Sequence, residues 1–207
     1  IYSTFFSKKP VMLYSPILSF LRLFLLLPWI IVMSLLHIVS STLSRRFFFT
    51  FYKFLFSGLI RIFGLKITFF GNPNKKKVLF VSNHISYLDI IILGSAVNAI
   101  FVAKSEIKNW PVINKLCALG KTIFVERENY RSIKKQTENI KDSLQDGFNV
   151  ILFPEGTSSD GSKVLKFKSS LFELIDGSEL RDFYIQPISI SYNKLDGLPL
   201  DKNYRPF

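Results

Sequence analysis

The chain is poor in the residues that build cross-links and metal centres. Its single cysteine, Cys117, allows no intramolecular disulfide, so nothing points to an oxidising compartment. Its two histidines, His37 and His84, belong to no Cys/His cluster, so neither a metal site nor an organic cofactor is expected. Acidic residues are absent from the whole N-terminal part: residues 1–88 carry 11 Lys or Arg and no Asp or Glu, whereas the remainder carries 16 basic residues against 15 acidic ones. The net charge of +12 is therefore almost entirely N-terminal. There is no internal repeat and no low-complexity tract. With 48% hydrophobic and 20% charged residues the chain is too apolar to be disordered, and an ordinary water-facing surface all round is unexpected.

Charge is also missing from Leu23 to Val39, LFLLLPWIIVMSLLHIV, a run of 17 residues at the short end of the roughly 17–25 that span a bilayer. Pro28 lies within it, Arg22, Arg45 and Arg46 bracket it, and Trp29 and His37 suit an interfacial position, a pattern that fits a tilted or re-entrant helix with snorkelling arginines. A cleaved signal peptide is disfavoured because no small-residue cleavage motif follows. A second apolar stretch, Phe47 to Phe63, carries Lys53 and Arg61 and reads as an amphipathic helix on the membrane surface. Residues 1–64 are thus expected to form a two-helix membrane anchor. Its basic flanks suit anionic lipid headgroups, at about 1 kcal/mol per Lys or Arg near the surface. A nucleic-acid binder would set its basic residues among polar ones, so nucleic acid is not an expected partner. The chain starts at Ile1 and ends in Tyr204-Arg205-Pro206-Phe207, which has the look of mid-chain sequence, so a fragment, truncated at the C-terminus, is expected.

Beyond Lys66 short β-branched and aromatic runs alternate with helical spacing, which predicts an α/β domain over 65–207 with a mixed sheet flanked by helices. Strands are predicted at Lys66–Phe70, Val78–Ser82, Ala99–Ala103, Thr122–Val125, Asn149–Phe153 and Tyr184–Ser191. A helix over Asn129–Asp146 lines up Ile133, Ile140 and Leu144, and Asp146-Gly147 closes it. The NPNKKK stretch, Asn72 to Lys77, reads as a solvated turn.

Sheets of this kind place their sites beyond the carboxyl ends of the strands. There, Val81-Ser82-Asn83-His84-Ile85-Ser86-Tyr87-Leu88-Asp89 runs a strand into a histidine with a carboxylate five residues later. His84 as general base, its tautomer fixed by Asp89, is one reading. A histidine capping a helix, with Asp89 in the first turn, is the other.

Asn83 to Asp89 (NHxSxxD), Gly120-Lys121-Thr122-Ile123-Phe124-Val125-Glu126-Arg127, Phe153-Pro154-Glu155-Gly156-Thr157-Ser158 and Ile185-Gln186-Pro187-Ile188-Ser189-Ile190 occur in that order. Together these blocks resemble the glycerolipid acyltransferase family, the HX4D acyltransferases typified by bacterial 1-acyl-glycerol-3-phosphate acyltransferase, over roughly residues 66–192. The resemblance implies that His84 deprotonates an acceptor hydroxyl, that Asp89 orients the imidazole, and that the hydroxyl attacks an acyl thioester without an acyl-enzyme. It implies that Arg127 holds the acceptor's phosphate, that Glu155, Gly156 and Thr157 line the acceptor site, and that Lys104, and less securely Lys168, lie near the phosphate. A fatty acyl group would pass from acyl-CoA or acyl-carrier protein to a lysolipid, foremost 1-acyl-glycerol-3-phosphate, giving phosphatidic acid on the cytoplasmic face of a bacterial inner membrane.

The tail from Tyr192 to Leu200, with Arg205-Pro206-Phe207, resembles a bacterial subgroup that includes lyso-ornithine lipid acyltransferases, so a lyso-ornithine lipid is the alternative acceptor. There Arg127 would pair with a carboxylate and Glu155 with an amine. A non-catalytic lipid-binding module is a reading of another class, opposed by the presence of His84, Asp89, Arg127 and Glu155 together. A hydrolase built on Ser86 lacks the Gly-x-Ser-x-Gly spacing.

Overall fold

The computed structural model describes residues 15–74, 77–125, 130–161, 163–167, 183–195 and 198–199. Helix α1 (Pro16–Leu43) starts where Ser15 Oγ accepts the Leu18 N–H at 3.4 Å and Pro16 takes the first helical position, where no N–H is needed. Its 28 residues make a rod of about 42 Å. Phe20, Phe24, Leu27, Ile31 and Leu35 on it are exposed, and it is the one described helix long and apolar enough to cross a membrane. Ser44 then caps α2 (Arg45–Phe63), and Gly64, at φ 71°, ends it in the left-handed conformation that a side chain would disfavour.

Helix α2 is amphipathic as its pattern predicts, but its aromatic face turns into the protein rather than toward lipid. Phe48, Phe49 and Tyr52 join the core formed by Val78, Phe80, Val150 and Ile151. Phe48 lies edge-on to Phe49 at 5.0 Å and stacks on Tyr52 at 5.6 Å. These rings close the core, while Phe47 and Phe54 on α2 remain exposed beside the apolar outer face of α1. Trp29 and His37 both make contacts inside the protein. Trp29 donates from Nε1 to the Leu55 carbonyl at 3.0 Å, and its ring occupies the space above Gly58 where a Cβ would come within 2.1 Å. His37 is buried against Phe48 and Tyr52 with Nε2 at 3.1 Å from the Leu119 carbonyl.

After α2 come β1 (Val78–Ser82), α3 (Leu88–Ala96), β2 (Ala99–Lys104), a 3-10 turn over Ser105–Asn109, α4 (Ile113–Leu119), β3 (Ile123–Val125), α5 (Tyr130–Gln145), β4 (Asn149–Leu152) and β5 (Tyr184–Ile188). Five strands form one sheet in the order β3-β2-β4-β1-β5. Among the described residues every ladder in it is parallel, where a mixed sheet was the expectation. The crossovers through α3, α4 and α5 return β2, β3 and β4 in the same direction. Antiparallel pairing is confined to the ribbon of β6 (Lys194–Leu195) and β7 (Leu198–Pro199). Strands β1 and β4 read VLFVS and NVIL and are almost wholly buried, as parallel strands covered on both faces must be. On α5, Ile140 and Leu144 are buried and Gly147, at φ 82°, closes the helix; Ile133 lies outside the described side chains.

The predicted strand Lys66–Phe70 does not form. Among the described residues the segment pairs with no neighbour, and Phe70 is 94% exposed, so its β-branched pattern finds no ladder to join there. The Asn72–Asn74 turn is exposed as expected, held by Gln186, whose Oε1 accepts the Asn74 N–H at 2.8 Å.

The inward turn of α2 predicts unequal costs for two phenylalanines on the same helix. Phe48→Ala should destabilise the protein by about 3–5 kcal/mol, and the exposed Phe54→Ala by less than about 0.5 kcal/mol, as read by denaturant unfolding of detergent-solubilised protein. Equal costs would contradict the core role.

Candidate active site

In a parallel sheet all carboxyl ends lie along one edge, and the neighbours β4, β1 and β5 bring three of the four sequence blocks together there. Val81 pairs with Leu152 and Ser82 with Ile188, so the chain leaves all three strands at nearly the same level. Asn83 ties two of these exits together. Its Nδ2 donates to the Ile190 carbonyl at 2.9 Å and its Oδ1 accepts the Ile190 N–H at 2.8 Å.

The turn from β1 into α3 closes around one carboxylate. Asp89 is 0% exposed, and its Oδ2 lies 2.8 Å from His84 Nδ1 while accepting the N–H groups of Ile85 at 2.7 Å and Ser86 at 3.0 Å. Its Oδ1 accepts the Tyr192 hydroxyl at 2.6 Å. The spacing of five residues matters here, because it lets a side chain in the first turn of α3 reach back to the loop amides that precede it. A carboxylate only accepts, so the bond to His84 places a proton on Nδ1, and in the neutral ring that leaves the Nε2 lone pair bare. The His84 side chain is 14% exposed, its ring is stacked on Phe153 at 4.2 Å and 20°, and its Nε2 has no hydrogen bond among the described residues. A positioned, partly accessible imidazole with a fixed tautomer can remove a proton from a hydroxyl presented to it.

Glu155 meets a different fate from the expected one. It is 2% exposed, its Oε1 accepts the His84 N–H at 2.8 Å and its Oε2 the Leu165 N–H at 2.7 Å. A carboxylate engaged on both oxygens beneath the surface braces the histidine's backbone. The adjoining Gly156, at φ 76°, uses its N–H to close the turn onto the Phe153 carbonyl at 3.1 Å, so that amide is not offered to an anion. Thr157 is exposed in the same turn.

Lys104 ends β2 half-buried, in register with Val125, the last residue of β3. Arg127 and Lys168 lie outside the described residues. Ser86, the nucleophile of the hydrolase reading, has its Oγ accepting the Leu88 N–H at 3.3 Å, within the turn itself. Burial pushes the Cys117 thiol up from its ordinary range. Two contributors escaped the sequence reading: Tyr192, and Phe153 as a stacking platform. Neither sits near His84 in the chain, and only strand order brings them there.

Residues 66–191 match the family model described as Acyltransferase, and the chain belongs to that family. It is 39% identical over 150 residues to the lyso-ornithine lipid O-acyltransferase of Rhizobium meliloti (strain 1021), which covers 70% of this chain and 51% of that one. It is 40% identical over 96 residues to the 1-acyl-sn-glycerol-3-phosphate acyltransferase of Neisseria gonorrhoeae, covering 46% of this chain and 38% of that one. The chain thus spans about half the length of the relatives it matches. In fold it is similar to the crystal structure of the 1-acyl-sn-glycerophosphate (LPA) acyltransferase, PlsC, from Thermotoga maritima, with a TM-score of 0.62 at 20% identity, over 83% of this chain and 72% of that one.

Glu155→Gln would turn an amide N–H2 toward a backbone N–H and lose one acceptor. The expected result is a loss of about 1–3 kcal/mol in unfolding free energy together with a lower kcat at unchanged acceptor KM. A raised KM with full stability would instead make Glu155 a substrate contact.

Proposed function

We propose that this protein is a membrane-bound O-acyltransferase that moves a fatty acyl group from acyl-CoA or acyl-carrier protein to the free hydroxyl of a lysolipid. The observation that carries the reading is the His84 imidazole, held by Asp89 through Nδ1 with Nε2 bare in a partly accessible crevice. The acceptor's hydroxyl oxygen forms the new C–O bond at the thioester carbon while Nε2 takes its proton. Asp89 stabilises the imidazolium so formed. When the tetrahedral adduct collapses the C–S bond breaks, and the imidazolium returns the proton to the departing thiolate. No residue is acylated, which agrees with the absence of a free nucleophile beside His84 among the described residues.

The acceptor we favour is a lyso-ornithine lipid, supported by the longer likeness, 150 residues against 96. Arg127, with Lys104 beside the end of β3, would then pair with the ornithine carboxylate. The second reading is 1-acyl-glycerol-3-phosphate, supported by the equal identity of the shorter match. There the same two cations hold the phosphate, the guanidinium bidentately. Thr157, exposed at the same edge, and Gly156, which shapes its turn, complete the acceptor side.

Residues 1–64 serve as the anchor and 65–207 as the catalytic domain, with α2 belonging to both. The apolar outer face of α1 and the basic N-terminal part seat the protein on anionic lipid at the cytoplasmic face of a bacterial inner membrane, the side that a diffusible acyl donor reaches.

The test offers a labelled acyl thioester with lyso-ornithine lipid and lysophosphatidic acid in parallel to the full-length protein in membranes. Acylated ornithine lipid is the expected product, lost by about 10²–10⁴-fold in His84→Ala. Acylation of lysophosphatidic acid alone establishes the second reading, and transfer to neither, or full turnover in His84→Ala, overturns the proposal.

A further inference from the structure

Asp89 divides its hydrogen bonds unequally. Oδ2 takes the imidazole and two backbone amides, whereas the donor to Oδ1 among the described residues is the Tyr192 hydroxyl, contributed from 103 positions away in the chain. The tyrosine does not arrive there by chance of a flexible tail. Two residues before it, Ile190 is buried and clamped by both polar atoms of Asn83, so the exit of β5 is fastened to the exit of β1 directly ahead of His84.

We propose that Tyr192 is a positioning residue of this site, whose hydroxyl engages Asp89 Oδ1 and so draws the carboxylate's charge away from the oxygen that holds the His84 imidazole. This inference rests on the reading of His84 as general base. Burial first, and then the neighbouring carboxylate, push the Tyr192 phenol up, so the group remains a donor throughout the working pH range. Its pull competes with that of the imidazole for the same carboxylate. Remove the hydroxyl, and Asp89 has only His84 and two amides to answer its charge, so the imidazolium is favoured before substrate arrives. The other titratable groups here among the described residues are His84 itself and Glu155, which is held against the His84 backbone. The inference also gives the segment after β5 a part in the chemistry, since displacing it would withdraw a donor from Asp89.

Tyr192→Phe keeps the ring and removes the donor. In the full-length protein in membranes, kcat at neutral pH should fall about tenfold with both KM values unchanged. The acid limb of the pH–rate profile should move to higher pH, so that turnover recovers toward wild type as pH rises. Global replacement of tyrosine by 3-fluorotyrosine, a stronger donor of the same shape, should move that limb to lower pH. It supplies the test if the phenylalanine variant does not fold. An unmoved profile, or a loss equal at every pH with a lowered thermal midpoint, would overturn the inference. Turnover that survives His84→Ala removes the reading beneath it, whereas an essential His84 with a wild-type Tyr192→Phe removes this inference alone.

Discussion

The site depends on one buried carboxylate. An unpaired charge taken out of water costs several kcal/mol, and Asp89 avoids that cost by gathering four donors: an imidazole, two loop amides and a phenol. Each of those donors is thereby fixed. The loop between β1 and α3 is held in a shape that presents both amides to one oxygen, and the imidazole is held with Nδ1 toward the carboxylate. The chemistry of His84 is thus a consequence of how the protein keeps Asp89 satisfied.

A second buried carboxylate does the same for the backbone. Glu155 grips the His84 amide from the β4 side and reaches on to Leu165, so His84 is held through its main chain by one acid and through its ring by another. Phe153 closes the remaining direction by stacking. These three constraints come from adjacent strands. They require β4 and β1 to be neighbours in register, which the buried VLFVS and NVIL runs secure through ordinary apolar packing. Core and catalytic edge are in this sense one structure, and α2 belongs to it, since its aromatic face seals that core.

Much of this was legible in the residues. Five of six predicted strands form, because short β-branched runs between turn residues leave little alternative, and the pairing of His84 with Asp89 was one of two readings that their spacing allowed and the one that the family resemblance implied. What escaped were features that depend on partners distant in the chain. The Lys66–Phe70 run has a strand's composition but no neighbour. The inward turn of α2 hinges on a sheet whose order is not written in the helix, and Trp29 and His37 read as interfacial only while the carbonyls of Leu55 and Leu119 are out of view. Glu155 was placed at the acceptor site by the family resemblance, with a solvent-facing turn glutamate as the other reading. Its burial became visible only with the amides of residues 84 and 165 beside it. Tyr192 gave no local sign at all.

The central claim is that the Asp89 turn fixes the proton of His84 on Nδ1 and leaves Nε2 bare toward the crevice. With only two histidines in the chain, nitrogen-15 NMR of the imidazoles in the full-length protein reads this directly. At neutral pH His84 should show a protonated Nδ1 and an unprotonated Nε2, and Asp89→Asn should disturb that state while leaving the His37 signals in place. A His84 protonated on Nε2, with a bare Nδ1 against Asp89, would contradict the account.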